Sequence, residues 1–119
     1  MASQNDYINY SMDKREKPLL GVVVHNDASE LNANEWREVL KDAPEDRYIQ
    51  GIAHYYIDRN YQWQAIDTEN IAWHTANEVG NEQYIGYEVL ESLSSSDEEF
   101  LLNEQETFRV IAADMTDYN

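Results

Sequence analysis

Three histidines are the residues of this chain whose surroundings point most directly to chemistry. His25 ends an apolar run, His54 precedes two tyrosines, and His74 follows Ile-Ala-Trp. Imidazole binds metal ions and moves protons near neutral pH, and a side chain on a β-strand keeps a fixed direction. Together, three histidines are a sufficient ligand set for a catalytic zinc ion. A structural role in the core is the alternative for His25 and His54.

Composition limits the classes of protein to which the chain can belong. Its 119 residues suit one domain, and 24 acidic against 8 basic residues give a formal charge of -16. That charge opposes unassisted binding to nucleic acid, anionic lipid or an anionic cell wall. The sequence contains no cysteine, so a metal site must use His, Asp, Glu or water. Charge alone leaves one other interpretation open, an acidic protein that mimics DNA and competes with it for a basic partner.

Targeting and membrane signals are missing from the sequence. The N-terminus has neither the basic nor the apolar stretch of a secretion signal, and no apolar run approaches the roughly 18 residues of a membrane span. We therefore expect a product that is cytoplasmic when synthesised and has no membrane partner.

The first half of the chain predicts an arm, a strand and a helix. Residues 1–18 are polar and end in a proline, which predicts a loosely held arm. The run Leu19–His25 predicts a strand, and its lack of alternation indicates burial on both faces. Asn32 or Asn34 can cap a helix that ends near Asp42. The predicted apolar side of this helix consists of Leu31, Trp36, Val39 and Leu40.

The second half predicts a hairpin, another strand and a long helix. Ile52–Ile57 and Tyr61–Ile66 are β-branched and aromatic runs joined by Asp-Arg-Asn, which predicts an antiparallel pair. Ile85–Leu90 predicts a further strand after a Gly-Asn turn, and Ser94–Ser96 followed by acids begins a helix. The residues predicted to pack this helix on the sheet are Leu101, Phe108, Ile111, Ala112 and Met115.

Four motifs in this order resemble the type 2 N-acetylmuramoyl-L-alanine amidases. They are the strand ending in His25-Asn-Asp-Ala-Ser, His54-Tyr-Tyr-Ile-Asp-Arg-Asn, the Ile-Ala-Trp-His74-Thr-Ala-Asn motif and Tyr-Ile-Gly-Tyr-Glu88-Val. The resemblance covers about residues 19–118. It implies an α/β fold with a central mixed β-sheet flanked by helices. It also implies a Zn2+ ion that hydrolyses the amide between N-acetylmuramic acid and L-alanine in peptidoglycan.

The resemblance also assigns roles to individual residues. His25 matches the first zinc ligand of the family, and Glu88 matches a catalytic glutamate of its autolysin-like branch. Inside an apolar strand, partial burial would raise the pKa of Glu88 toward a useful value, so that one carboxyl could deprotonate water and protonate the leaving nitrogen. The alternative is that Glu88 is exposed to solvent. Glu91 is close in sequence, and only the Ile-Gly-Tyr-Glu motif favours Glu88 over Glu91 as the matching glutamate. The counterpart of His54 is chiefly structural.

The segment around His74 matches residues beside the substrate groove. An indole face such as that of Trp73 stacks on a sugar, and an amide such as that of Asn77 pairs with peptide groups. We therefore predict Trp73, His74 and Asn77 as substrate-binding residues. An ordinary core position is an equal alternative for Trp73.

The sequence departs from the family pattern in two places. The family takes its other two zinc ligands from a segment after the final helix, but no histidine follows Glu88 here, and Asp114 and Asp117 belong to that helix. Ala53 stands where some phage members carry a catalytic tyrosine. We therefore expect an amidase domain over residues 19–119 that lacks its C-terminal zinc-ligand segment.

Such a chain would be the N-terminal portion of a longer phage endolysin or autolysin. Its expected partners are peptidoglycan and either a C-terminal segment or a cell-wall-binding module that offsets the acidic charge. It would act at the bacterial cell wall after release from the cell. The alternative is a non-catalytic peptidoglycan-binding module, whose binding to muropeptides would persist in a chelator.

Overall fold

The chain folds around a four-stranded β-sheet, seen in a computed structural model that describes residues 6–118. The elements in chain order are β1 (Gly21–Asn26), α1 (Ala33–Leu40), α2 (Glu45–Ile49), β2 (Tyr55–Ile57), β3 (Gln62–Gln64), α3 (Glu78–Gln83), β4 (Tyr84–Val89) and α4 (Asp97–Asp117). The spatial order is β1-β4-β2-β3, with β1, β4 and β2 parallel and β2–β3 an antiparallel hairpin. The predicted mixed sheet flanked by helices is confirmed.

Strand β1 lies at an edge of the sheet and not in its interior. It pairs only with β4 among the strands described, and Val24 is 42% exposed. The expectation that this strand is covered on both faces was therefore wrong. A run of β-branched residues reports their preference for extended backbone, which an edge strand satisfies as well as a central one.

The sheet buries a different cluster of side chains on each face. On one face Trp63 packs with Leu40 of α1 and with Ile8 of the N-terminal segment. On the other, Tyr87 packs with Val110 of α4. Burying each large side chain contributes roughly 1.5–3 kcal/mol, so both faces stabilise the domain.

Capping boxes begin the two longest helices. The Asn32 side chain accepts a hydrogen bond from the Glu35 N–H, and the Glu35 carboxylate accepts one from the Asn32 N–H. Ser96 and Glu99 repeat this arrangement at α4. The predicted helix starts are confirmed, with Asn32 and not Asn34 as the cap. Helices α2 and α3 were not predicted, because five or six residues are too few to show a helical period.

The buried face of α4 is only partly the one predicted. Ile111 and Met115 pack on the sheet as predicted, but the other predicted residues do not form the buried side. Asn103, Thr107 and Val110 face the sheet, whereas Leu101 and Phe108 are more than half exposed. The prediction placed the most hydrophobic residues of the helix against the sheet. Polar side chains take some of those positions because they form hydrogen bonds there: Asn103 donates to the Leu90 carbonyl at 2.9 Å. On α1, Val39 is likewise 49% exposed, although it was placed on the apolar side. Within residues 6–118, no helix combines the length and apolar character needed to cross a membrane.

The N-terminal segment is packed against the domain wherever the structure describes it. Ile8 and Met12 are buried, and the Trp63 indole donates to the Asp6 carbonyl at 2.7 Å. The Arg15 guanidinium donates to the carbonyls of Thr68, Asn70 and Glu82. Residues 6–18 are therefore not a loosely held arm, because their few apolar side chains fill the core; residues 1–5 of that predicted arm lie outside the described part. The predicted boundary at residue 19 stays a prediction.

Candidate active site

One face of the sheet brings His25, Tyr56 and Glu88 together. His25 and Glu88 are partners in the parallel pairing of β1 and β4, and Tyr56 is the partner of Glu88 on β2. Residues in register on adjacent strands project to the same face. All three stand near the C-terminal ends of parallel strands, the edge at which open α/β sheets bind ligands.

Glu88 lines a cavity of about 260 Å³ together with Trp36 and Tyr56. Burial raises the pKa of Glu88 to about 7, and the negative charge of Asp27 adds to the rise. Among residues 6–118, none donates a hydrogen bond to this carboxyl. A carboxyl in this state can both accept and donate a proton near neutral pH. The partial burial expected for Glu88 is present.

Asp27 is a residue of this site that the sequence did not reveal. Its Oδ2 accepts from the Trp36 indole at 3.2 Å, and its Oδ1 accepts from the hydroxyl and the N–H of Ser92 at 3.0 and 3.3 Å. It also lines the Glu88 cavity. Its position two residues after His25 was the available signal, but an aspartate in an Asn-Asp-Ala-Ser run is equally typical of a turn.

His25 and His74 are in direct contact. Their Nε2 and Nδ1 atoms are 3.0 Å apart, and their rings meet nearly edge to face at 82°. The other ring nitrogen of His74, Nε2, lies 3.1 Å from the Tyr84 carbonyl oxygen. Burial lowers the pKa of both histidines, that of His74 to about 4. Both rings are therefore neutral near pH 7.

His54 is fully buried and has a partner for each ring nitrogen. Its Nδ1 accepts from the Gly86 N–H at 3.0 Å, and its Nε2 lies 2.8 Å from the Asn70 carbonyl oxygen. Burial lowers its pKa to about 3. The structure thus places His54 inside the core, where it joins β4 to the segment before Ile71, and the site of three histidine ligands does not form.

The loop that carries His74 is held by two asparagines. The Asn81 side chain accepts from the N–H groups of His74 and Thr75 at 2.9 and 2.8 Å. Asn77 caps α3, because its side chain accepts from the Gly80 N–H at 3.1 Å. These bonds orient the loop, and they occupy the Asn77 carbonyl oxygen that was predicted to bind substrate, leaving its amide N–H groups for that role.

A second, larger cavity adjoins that of Glu88. It has a volume of about 810 Å³ and is lined by Ile49, Trp73 and Thr75, and it shares Gln50, Gly51 and His74 with the smaller one. Together the two cavities form a groove. Trp73 is partly buried and packs against the core, 6.2 Å from the Tyr10 ring. It also lines the groove, and its role as a substrate contact stays a prediction.

Backbone strain also lies at this edge of the sheet. Ala28, after β1, has φ of 48°, and Glu91, after β4, has φ of 62°. Positive φ in residues other than glycine is concentrated at functional sites. Glu91 is paired with Arg59 at 2.7 Å, so its carboxylate belongs to the turn, whereas Glu88 lines the smaller cavity.

The described residues do not complete a zinc site. His25 supplies one imidazole, but residues 6–118 contain no group of three or more His, Asp or Glu side chains placed to share a metal ion. A catalytic zinc ion needs three protein ligands. A zinc site of three protein ligands that includes His25 would therefore need at least one ligand from outside residues 6–118.

The fold is shared with solved hydrolases. The Staphylococcus aureus hydrolase AmiA superposes with a TM-score of 0.74 at 17% sequence identity, over 92% of this chain and 52% of that one. At this identity the likeness defines the fold alone. It places the chain among α/β proteins with this mixed sheet.

Sequence comparison assigns the chain within that class. The sequence profile of the N-acetylmuramoyl-L-alanine amidases of the Amidase_2 type matches residues 15–118, and the chain belongs to this family. It is 46% identical over 112 residues to endolysin LysK of Staphylococcus phage K, and 45% identical over 101 residues to endolysin PlyTW of Staphylococcus phage Twort. The matches cover 90% and 85% of this chain but only 23% and 22% of those relatives, so the chain spans less than a quarter of their length.

Proposed function

We propose that this chain is the amidase part of a phage endolysin and hydrolyses the amide that joins N-acetylmuramic acid to L-alanine. The observation that carries the proposal is Glu88, a half-buried carboxyl with a pKa of about 7, at the floor of a groove in a member of the amidase family. Its place of action would be the bacterial cell wall, after release of the protein from the infected cell.

Glu88 would serve as general base and then as general acid. The ionised carboxyl takes a proton from the water that attacks the amide carbon, so that a carbon–oxygen bond forms. The protonated carboxyl then delivers this proton to the nitrogen of L-alanine as the carbon–nitrogen bond breaks. A pKa near 7 suits both steps, because each protonation state is well populated at neutral pH.

The groove offers surfaces for both parts of such a substrate. The Trp73 indole can stack on a sugar ring, and the amide of Gln50 can pair with peptide groups. Asn77 lines neither cavity, but it is exposed and directly follows Ala76, which lines the larger one, so its amide N–H groups can meet a ligand that extends beyond the groove. The two cavities share Gly51 in their lining, so a ligand bound in the larger cavity can extend past Gly51 toward Glu88. We propose Trp73 and Asn77 as substrate contacts.

Zinc enters the proposal through His25 alone. A bound zinc ion would polarise the amide carbonyl and lower the pKa of a water molecule, and His25 would hold it with one nitrogen. Because the described residues do not bring three ligands together, the steps above are assigned to Glu88, and zinc dependence is proposed for an assembly that includes further ligands.

The test is hydrolysis of purified peptidoglycan by the chain, with and without added zinc. We expect new amino termini on L-alanine and no new reducing sugars. Release of reducing ends instead would sink the proposal, because it would indicate cleavage of glycosidic bonds. The acidic charge of the chain also predicts that anionic wall polymers weaken binding, and that added salt or a cell-wall-binding module restores it.

A recognition module without catalysis is the second candidate, favoured by the incomplete ligand set. It predicts muropeptide binding that is unchanged by a chelator, with no cleavage. Calorimetry with a soluble muropeptide, with and without chelator, distinguishes the two functions.

A further inference from the structure

The contact between His25 and His74 has a single possible direction. The Tyr84 carbonyl oxygen can only accept, so the His74 nitrogen beside it, Nε2, carries the proton. A neutral imidazole has one N–H, so Nδ1 of His74 carries a lone pair. The 3.0 Å contact of this Nδ1 with Nε2 of His25 therefore requires His25 to be the donor.

This direction determines the tautomer of His25. With its proton on Nε2, the ring has its lone pair on Nδ1, and no side chain within residues 6–118 occupies that nitrogen. His25 is thus held with one basic nitrogen free, on the strand position paired with Glu88. The order of bonds is His25 to His74 to the Tyr84 carbonyl.

We propose that His74 is a positioning residue, which fixes the ring orientation and tautomer of His25, and that it does not bind substrate through its ring nitrogens. Both of those nitrogens are used inside the protein. The loop bonds of Asn81 and the Tyr84 carbonyl hold the ring at opposite ends. This reassigns a residue that the sequence placed among the substrate contacts.

Gly86 also helps to position the His74 ring. A Cβ atom at Gly86 would lie 2.6 Å from both Cγ and Nδ1 of His74, so the ring rests directly on the glycine backbone. The same backbone donates its N–H to His54. Gly86 is therefore required for space: alanine there would displace the His74 ring and with it the acceptor of the His25 proton.

Two-bond nitrogen–proton NMR spectra of the histidine rings in the full chain test this proposal, because they show which nitrogen carries each proton. We expect Nε2–H for His25 and for His74. In His74→Phe, which keeps a ring over Gly86 but has no lone pair, the Nε2–H preference of His25 should fall roughly fivefold, the effect of one neutral hydrogen bond. In His74→Gln, whose amide oxygen restores an acceptor, it should partly return.

The proposal fails if His25 in the unmodified chain carries its proton on Nδ1, or if a folded His74→Phe variant leaves its tautomer unchanged. Should the phenylalanine variant not fold, Gly86→Ala provides the same comparison from below the ring. A kinetic arm rests on the proposed function: loss of positioning lowers kcat and leaves KM in place, whereas loss of a substrate contact raises KM. The NMR result does not depend on activity, so the tautomer of His25 can be established even if the chain does not hydrolyse peptidoglycan. Likewise, hydrolysis can be observed even if the NMR result contradicts the positioning role of His74.

Discussion

Each face of the sheet holds a partly buried carboxyl, Asp114 on one face and Glu88 on the other, and the two carboxyls have opposite surroundings. Behind the sheet, Asp114 of α4 accepts hydrogen bonds from the hydroxyls of Tyr55 and Tyr87 at 3.2 and 2.7 Å, beneath two stacked rings 5.0 Å apart. On the groove face, Glu88 has no such donor among the described residues. Burial raises the pKa of both groups, but the hydroxyls oppose the rise at Asp114.

This difference separates a structural carboxyl, that of Asp114, from one whose pKa suits proton transfer near neutral pH, that of Glu88. Hydrogen bonds to an ionised carboxylate stabilise its charge, so Asp114 ties α4 to the sheet. A buried carboxyl without donors is held at a cost to folding, and such a cost is common at catalytic sites. The back face therefore stabilises the fold, while the groove face gives up stability to maintain a group that titrates near pH 7.

The largest effect should come from Glu88→Gln. Because the amide neither accepts nor donates the transferred proton, hydrolysis of peptidoglycan should fall roughly 100- to 10,000-fold. Release of amino termini from L-alanine measures this, and Glu98→Gln on the exposed side of α4 is the matched control. Full activity in Glu88→Gln would contradict the assignment.

The same variant should be more stable than the unmodified chain at pH 8. The folded pKa of Glu88 is about 7 against an ordinary value of 4.5, so the native state binds more protons between these values and its stability falls as pH rises through them. Removing the charge should recover roughly 2 kcal/mol at pH 8 and almost nothing at pH 4. Urea unfolding at both pH values measures the difference; an equal effect at both would show that Glu88 does not titrate as described.

Asp114→Ala should have the opposite effect on stability. It leaves the hydroxyls of Tyr55 and Tyr87 without their acceptor under α4, which should cost about 2 kcal/mol. Thermal unfolding measures the loss, with the exposed Asp117→Ala as control. Activity per folded molecule should not change, because the groove lies on the other face; a selective loss of activity would break the contrast between the faces.

A smaller effect is expected from Asp27→Asn. Removing this negative charge should lower the pKa of Glu88, because like charge was part of the rise. The acid limb of the rate profile should then move to lower pH, by less than about one unit, since burial is the larger cause. A shift to higher pH would show that loss of the bonds to Trp36 and Ser92 outweighs the charge.

The smallest effect concerns the metal. Because no three ligands lie together among residues 6–118, the chain should show no saturable zinc binding at micromolar concentrations. Calorimetry and elemental analysis measure this beside His25→Ala. Tight binding of one zinc ion per chain, lost in that variant, would show that ligands outside residues 6–118 or from a second copy complete the site.

Local sequence signals predicted where helices and strands lie better than they predicted which sides of these elements are buried. Asn32 and Ser96 mark helix starts because a cap depends on residues three apart in sequence. The buried side of α4 was predicted only in part: Ile111 and Met115 pack as predicted, but Asn103 faces the core through a hydrogen bond to the Leu90 carbonyl, a partner 13 residues away. The edge position of β1 likewise depends on the order of strands in the sheet, which the composition of β1 does not indicate.

By itself, the sequence determined the family and the mixed sheet, because these rest on motifs whose order along the chain is visible directly. The same motifs selected His25 and Glu88, whose roles stay predictions. The tertiary structure decided what each histidine does and which aspartate joins the site. The three histidines have the same side chain, and only the atoms near each ring nitrogen distinguish them. His54 has a partner for both nitrogens inside the core, His74 contacts the Tyr84 carbonyl and His25, and His25 keeps one nitrogen without a side-chain partner among residues 6–118. Those partners are brought together by parallel strand pairing, which no local pattern records.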